Sequence, residues 1–310
     1  MNVLVTGGAG YIGSMLVRAL LERFAKVTVL DTFATGDTQL ATCCAYPGFD
    51  PIRGDVRDER LLDKLVPSAD VIIPLAALVG APLCAADPIG ATTINRDAVF
   101  SIVKRLSTDQ KVIYPTTNSG YGIGEKDSFC TEETPLRPIS LYGQTKVEAE
   151  DAVLNSGRGV TLRLATVFGM SSRMRIDLLV NDFTWRAVTD RAVVIFEGHF
   201  RRNYIHVRDV VKAFLHVVDH FDEMRAQPYN VGLSDANLTK LELCERIQRQ
   251  VPEFVYLESA IGADPDKRDY IVSNAKIEQA GFLPDWSLDA GISELIKGYR
   301  MLRNSRYANV

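Results

Sequence analysis

No two of the five cysteines, Cys43, Cys44, Cys84, Cys130 and Cys244, stand at C-x-x-C spacing, and their number is odd. Neither a disulfide framework nor a thiolate zinc site is indicated, and a reducing compartment suits the chain. Histidine is scarce, at four residues. His216 and His220 have the i, i+4 spacing of helical metal ligands, but no intervening Glu follows the metalloprotease pattern and no third ligand is evident, so no metal is expected. His199 reads as a solvent-facing loop residue rather than a phosphate ligand. No apolar run approaches the ~20 residues of a membrane span, and Met1 to Thr6 lack the basic flank and length of a signal peptide. Basic charge is not in excess either: the net charge is -4 and the pI about 5.7, which argues against a sequence-independent nucleic-acid binder. The expectation is a cytoplasmic protein that engages neither nucleic acid nor membrane. Internal repeats, low-complexity tracts and long linkers are also missing, so independently tethered domains are not expected.

What is present is a core-building chain, with 46% apolar residues in 310. Val3 to Thr6, Val27 to Asp31, Val71 to Ala76, Lys111 to Tyr114 and Gly159 to Ala165 are short β-branched or aliphatic runs. Helical patterns such as Ser14 to Phe24 and Arg96 to Leu106 separate them. That alternation implies an α/β fold with a doubly wound parallel sheet. It becomes irregular after about Thr166, where Ser171 to Trp185 reads as a loop and helix. Tyr204 to Val207 then looks like a strand and Val210 to Phe221 like a helix. The expected organisation is a Rossmann domain over 1–165, rejoined by about 204–226, with 166–310 forming mainly a smaller C-terminal α/β substrate-binding domain.

The first strand runs into Thr6-Gly7-Gly8-Ala9-Gly10-Tyr11-Ile12-Gly13, a G-x-x-G-x-x-G pattern that opens the first helix. Glycine permits the tight turn and the close approach of backbone N–H groups to a pyrophosphate, which the helix N-terminus also favours. Strand, glycines and helix together point to a dinucleotide site that includes Gly7, Gly10, Tyr11, Ile12 and Gly13. Asp31 ends the second strand, where a carboxylate accepts both adenosine ribose hydroxyls and repels a 2'-phosphate. NAD is therefore expected over NADP, although a strand-end turn also explains an Asp. Asp55 and Val56, after the third strand, fit an adenine contact or a simple turn.

Tyr142-Gly143-Gln144-Thr145-Lys146 begins another helical segment, and its i, i+4 spacing puts phenol and ammonium on one face. A phenol of reference pKa ~10 becomes a usable base when a cation favours its anion. Tyr142 is then the candidate to take a hydroxyl proton as hydride leaves the carbon. Tyr/Lys pairs at this spacing also arise on ordinary surface helices. The context that favours catalysis is Tyr114-Pro115-Thr116-Thr117-Asn118-Ser119-Gly120, a hydroxyl-rich turn at the edge of a strand where open α/β sheets bind ligands.

The glycine motif, Asp31, the Leu75-Ala76-Ala77 strand end, the hydroxyl-rich turn and Tyr142/Lys146 together resemble an extended short-chain dehydrogenase/reductase. The resemblance runs on through Leu162 to Gly169, Arg202 to Val207 and Arg268 to Leu295. It implies that Thr117 is the catalytic hydroxyl residue, Tyr142 the base, and Lys146 its partner and a nicotinamide-ribose ligand. It also implies that Leu75, Ala76 and Ala77 line the cofactor site, and that two copies form a homodimer through the Tyr142 helix and the Arg96 to Leu106 helix.

Dehydrating relatives place an Asp-Glu pair directly after the catalytic hydroxyl residue, and decarboxylating ones a Glu at the second position. Here those positions hold Asn118 and Ser119, which cannot exchange protons as a carboxyl group does. Oxidation of a carbinol, its reverse, or epimerisation at C4 remain. Pro74 to Pro82, Thr117 to Asp127, Arg173 to Ala187 and His199 to Val211 are similar to a bacterial subgroup of GDP-heptose 4-dehydrogenases of capsular polysaccharide synthesis. That similarity implies a nucleotide-diphosphate sugar as substrate and a 2-keto acid as a possible co-oxidant. Thr166 and Asn203 depart from the family's usual Asn and Asp. Arg175, Arg201, Arg202 and Arg268 are candidates for the substrate diphosphate, with surface solvation the plain alternative. Asn118, Ser119, Thr166 and Asn181 are candidates for sugar-side contacts. The rival from another class is a catalytically silent NAD(H)-binding sensor or scaffold on the same fold.

Overall fold

A computed structural model describes residues 1–36, 38–125, 128–259 and 268–302. Lys126 and Asp127, which close the Thr117 to Asp127 stretch quoted above, lie outside the described residues. The apolar runs of the N-terminal half become β1 (Asn2–Thr6), β2 (Lys26–Asp31), β3 (Phe49–Arg53), β4 (Val71–Pro74), β5 (Lys111–Thr117) and β7 (Gly159–Leu164). They lie in one sheet of order β11-β7-β5-β4-β1-β2-β3, all parallel, whose outermost strand on one side is β11 (Pro228–Val231). Every residue of β4 and β7 is buried, which is why β4 reads as a continuous hydrophobic run, whereas β7 also buries Thr161 and Arg163. The order reverses between β1 and β4, and such a switch point opens a crevice at the carboxyl ends of the strands.

Helices α1 (Gly13–Leu21), α2 (Glu59–Leu65), α3 (Ala81–Ala86), α4 (Pro88–Thr92), α5 (Ala98–Lys104) and α6 (Leu141–Asn155) cover the sheet. Leu16, Val17, Leu20 and Leu21 of α1 are buried at helical spacing. The Arg96 to Leu106 helix expected from sequence is the end of a longer run, in which a turn of wider pitch over Thr93–Asp97 links α4 to α5. Asn95 sits in that turn, and its side chain bonds the backbone of Leu78 in both directions, at 2.8 and 2.9 Å.

Beyond β7 the chain builds smaller sheets. β8 (Thr166–Phe168), β10 (Arg201–His206) and β12 (Asn237–Thr239) form a three-stranded one; β9 (Ala192–Ile195) pairs with β13 (Val255–Glu258), and β14 (Ile271–Val272) with β6 (Phe129–Cys130). Helices α7 (Leu179–Thr189), α8 (Val207–Asp219), α9 (Phe221–Met224), α10 (Lys240–Gln250), α11 (Ala275–Gln279) and α12 (Leu288–Tyr299) accompany them. α8 packs against α1, and α12 against α7 and α10. Buried His206 is the hinge-pin of this half: it stacks on Trp286 with ring centroids 4.3 Å apart, and its Nε2 lies 2.8 Å from Glu294 Oε2. Among the described residues no helix is long and apolar enough to cross a membrane.

Candidate active site

A cavity of about 480 Å³ opens at the switch point. Its floor at one end is the glycine turn, and the backbone there admits no larger residue. Gly7 has φ +73°, and a Cβ on it would stand 2.5 Å from Ala76 N; a Cβ on Gly13 would stand 2.5 Å from Gly7 O. Gly10, Tyr11 and Ile12 complete that wall. Asp31 is held in place by two backbone donors, Ala9 N–H to Oδ2 at 2.9 Å and Phe33 N–H to Oδ1 at 2.8 Å. Its carboxylate therefore braces the glycine loop while it lines the cavity. Asp55 and Val56 line it too, but the Asp55 carboxylate is engaged by the Arg57 guanidinium at 2.6 Å. That pair holds Asp55 below the usual carboxylate range. Leu75, Ala76 and Ala77, just beyond β4 and against Gly7, line the cavity as well.

The other end of the cavity holds Thr117, Ser119, Tyr142, Lys146, Thr166, Arg175 and Arg268. Ser140 caps α6 by accepting from Gly143 N–H at 3.2 Å, and the helix then carries Tyr142, Lys146 and Glu150 on one face. Burial pushes the Tyr142 phenol up, while the Arg175 and Arg268 cations and a hydrogen bond with Thr117 pull it down. Lys146 is buried, with Nζ 3.9 Å from the centre of the Tyr114 ring. Burial drives its pKa down to about 7, with the Glu150 charge opposing. Thr117 Oγ1 donates to Ser119 Oγ at 2.9 Å, and Arg268 Nη1 donates to the same Ser119 hydroxyl. The reacting end is thus a row of hydroxyls with guanidinium groups behind it.

Four sequence candidates are not on the cavity wall. Asn118 is buried beneath the turn. Asn181, also buried, works within the scaffold: its Oδ1 accepts from Gly169 N–H at 3.0 Å, and its Nδ2 donates to Arg175 O at 2.8 Å and to the Tyr11 hydroxyl at 3.3 Å. Arg201 turns to Asp269, whose Oδ1 accepts from its backbone N–H at 2.9 Å. Arg202 donates to Arg201 O at 2.9 Å and lies over the Tyr270 ring. Asn203, a departure from the family pattern, donates to Leu233 O at 2.7 Å from a fully buried position.

The structure also reveals partners that no motif announced. Glu150, one turn beyond Lys146, accepts from Arg163 Nη2 at 2.6 Å and Nε at 2.8 Å, both residues being buried. Arg163 continues to the Tyr121 hydroxyl at 3.1 Å, which donates to Asn230 Oδ1 at 2.7 Å. Removing one partner of such a pair leaves a buried charge and costs roughly 3–5 kcal/mol. The i, i+4 step from Lys146 to Glu150 was the only available sequence signal.

A model of the family described as NAD dependent epimerase/dehydratase matches residues 3–232, almost three quarters of the chain. The chain belongs to this family. NAD is its cofactor, and the glycine turn, Asp31 and the cavity between them fit that dinucleotide. The low-salt glycan biosynthesis protein Agl12 of Haloferax volcanii is 30% identical over 96% of this chain and 98% of its own length. UDP-glucuronic acid decarboxylase 1 of Arabidopsis thaliana is 27% identical over 97% of this chain and 70% of its own length. Among solved structures, UDP-glucose 4-epimerase of Thermotoga maritima with UDP-glucose superposes with a TM-score of 0.82 at 25% identity, over 97% of this chain and 99% of that one. UDP-glucuronic acid 4-epimerase of Bacillus cereus, with UDP-glucuronic acid and NAD, gives a TM-score of 0.86 at 24% identity, over 98% of this chain and all of that one. We propose that Asp31 accepts both adenosine ribose hydroxyls, and on that proposal Asp31→Asn, which removes the charge and one of the two acceptor oxygens, is expected to weaken NAD binding on the order of 10- to 100-fold. It should also narrow the preference over NADP; fluorescence titration with both dinucleotides measures the change.

Proposed function

We propose that this chain oxidises C4 of a nucleotide-diphosphate sugar, with a GDP-linked heptose as the specific substrate and a glycan-building pathway, capsular polysaccharide synthesis, as the destination. Residues 1–165, rejoined through α8 and β11, hold NAD; the remainder of 166–310 receives the sugar nucleotide. The observation that carries this reading is the chemistry around Tyr142. Among the described residues that line the cavity, the carboxylates are Asp31 and Asp55, both at the cofactor end, and Tyr142 is surrounded by Thr117, Ser119, Arg175 and Arg268. Dehydration and assisted decarboxylation need a proton-exchanging acid beside the sugar, and this wall offers hydroxyls instead. Agl12 and the nucleotide-sugar enzymes among the similar proteins support the substrate class.

Bound NAD supplies the hydride acceptor. Tyr142 accepts the proton of the C4 hydroxyl, so that the carbinol loses one proton and one hydride and becomes a ketone. Thr117 hydrogen-bonds the same oxygen and fixes its direction. Lys146 holds the nicotinamide ribose and, when charged, favours the Tyr142 phenolate. Arg175 and Arg268 lower the cost of that anion from the substrate side and meet the diphosphate with planar donor pairs. A homodimer through α5 and α6 completes the proposal; exposed Ile89 and Phe100 lie on α4 and α5, beside that face.

Mass spectrometry of the purified protein with GDP-heptose, with and without added NAD or a 2-keto acid, tests the reaction. Loss of two hydrogens from the sugar that requires the oxidant is expected. An unchanged mass with a new C4 configuration by NMR would make the protein a 4-epimerase, and hydride uptake by a 4-keto sugar would make it a ketoreductase. Retained biological activity in a turnover-dead variant would support the NAD(H)-binding sensor.

A further inference from the structure

Beneath the reacting end, α6 and the strands under it enclose a layer of polar side chains. Tyr114 and Thr116 of β5 stand in register beside Thr161 and Arg163 of β7, and α6 lies against both strands. All four residues are buried, as are Lys146 and Glu150 of α6. Arg163 spends two donors, Nε and Nη2, on one carboxylate oxygen, Oε1 of Glu150. Oε2 is buried with no hydrogen-bond partner among the described residues. Thr116 Oγ1 is likewise unpartnered there, although near enough to Glu150 to favour its charge. A buried carboxylate with an idle oxygen is only half satisfied by its arginine.

The cation one helical turn away is Lys146, whose Nζ rests 3.9 Å from the centre of the Tyr114 ring. Glu150 acts on it as a charge through a dry interior, where screening is weak. The other titratable groups around the pair are of lesser weight. The Cys84 thiol of α3 and the Tyr114 and Tyr142 phenols are all pushed up by burial and so held neutral. Asp151 is exposed and acts on Glu150, while Arg96 on the α4–α5 run is taken up by Asp97 and Glu148. Burial favours the neutral form of Lys146, and Glu150 is the leading influence in the other direction.

We propose that Glu150 is a positioning residue: anchored by Arg163, its carboxylate keeps the Lys146 ammonium charged on the cavity wall, one turn from Tyr142. Through the lysine, this core ion pair sets the pH at which Tyr142 can work. That kinetic consequence rests on Tyr142 as the base; the charge state of the lysine does not.

The test is competitive acetylation of the cofactor-stripped, full-length protein with trace acetic anhydride across pH, with Lys146 read by peptide mass spectrometry. The lysine lines the cavity, so the reagent reaches it. In Glu150→Gln the Lys146 midpoint is expected to fall by about one to two pH units. In the double variant, Glu150→Gln with Arg163→Met, neither buried charge is left alone, so Tm should return toward the parent's while the Lys146 midpoint stays about one unit low. The pH–rate limb should move to higher pH by a similar amount, with KM for the sugar within about twofold of the parent's. A parental Lys146 midpoint in the double variant overturns the proposal and leaves Glu150 as a packing partner of Arg163. A lowered midpoint with the pH–rate limb unmoved, while Tyr142→Phe is inactive, overturns the positioning role. Failure of the Tyr142 reading looks different: Tyr142→Phe then turns over normally, and the lysine titration still decides what Glu150 does. Should Glu150→Gln alone fail to fold, the double variant carries the same titration.

Discussion

Tyr142→Phe is expected to lower kcat by two to four orders of magnitude while NAD binding stays within a few-fold of the parent. In the proposed reaction the phenol hydroxyl takes the proton of the carbinol, and general-base contributions of this kind are worth roughly 10²- to 10⁴-fold. The ring itself remains, so packing in the half-buried wall is conserved and the glycine turn is untouched. KM for the sugar should change little, because the lost interaction strengthens only as the proton moves. The pH profile is the second readout. Burial raises the Tyr142 phenol, whereas Arg175, Arg268 and Thr117 lower it. Activity of the parent should therefore rise with pH as the phenolate becomes accessible, and the residual activity of the variant should lack that limb. Single-turnover measurement of NADH appearance between pH 6 and pH 10 checks both points (conditions on the order of those used for any reference phenol of pKa ~10). A fall in kcat below about threefold would remove Tyr142 from the chemistry.

Lys146→Met is expected to abolish turnover to a similar degree and yet leave the cofactor-stripped protein as stable as the parent or more so at neutral pH. The reason is linkage. In the fold the ammonium is desolvated and its pKa stands near 7, whereas the unfolded chain returns it to about 10.4. Between those values the unfolded state binds the extra proton, so stability due to this group rises with pH from about 7 upward. It is fully present only above the unfolded value. The lysine therefore costs the fold several kcal/mol, as an order of magnitude, at acid to neutral pH. Methionine fills similar volume over the Tyr114 ring without that cost. Thermal unfolding of both proteins across about pH 6.5 to 10 should show the difference in Tm shrinking as the pH rises. A difference that stays flat would place Lys146 in contact with water and remove the desolvation argument.

The sequence made legible what depends on local spacing. Gly7 and Gly13 are recognisable because a side chain at either would collide with backbone atoms, and Tyr142 with Lys146 because one helical turn separates them. The central strands were visible as apolar runs because their buried faces leave no room for alternation. What stayed hidden depends on contacts distant in sequence. Asn181 looks like a polar residue offered to a ligand, but it is spent on Gly169, Arg175 and Tyr11. Arg201 and Arg202 have the donor forks that a phosphate needs, yet the β10 backbone and the Asp269 and Tyr270 neighbours hold them away from the cavity wall. Glu150 and Arg163 are 13 residues apart and meet only because α6 lies across β5 and β7.

The placement of β11 bears on how the chain is made. Strand β7 is complete by Leu164, but its outer partner comes at Pro228–Val231, after more than sixty further residues have been synthesised. During that interval the growing sheet has an open edge strand that carries Val160, Leu162 and Leu164 beside Thr161 and Arg163, which is a template for pairing with another nascent chain. Ribosomes add roughly 5–20 residues per second, so the exposure lasts on the order of several seconds, longer than most small domains need to fold. Synthesis of many chains at once should therefore lose material to aggregation at this edge, and fewer nascent chains at a time or a chaperone that covers β7 should raise the yield of folded protein without any change in its sequence.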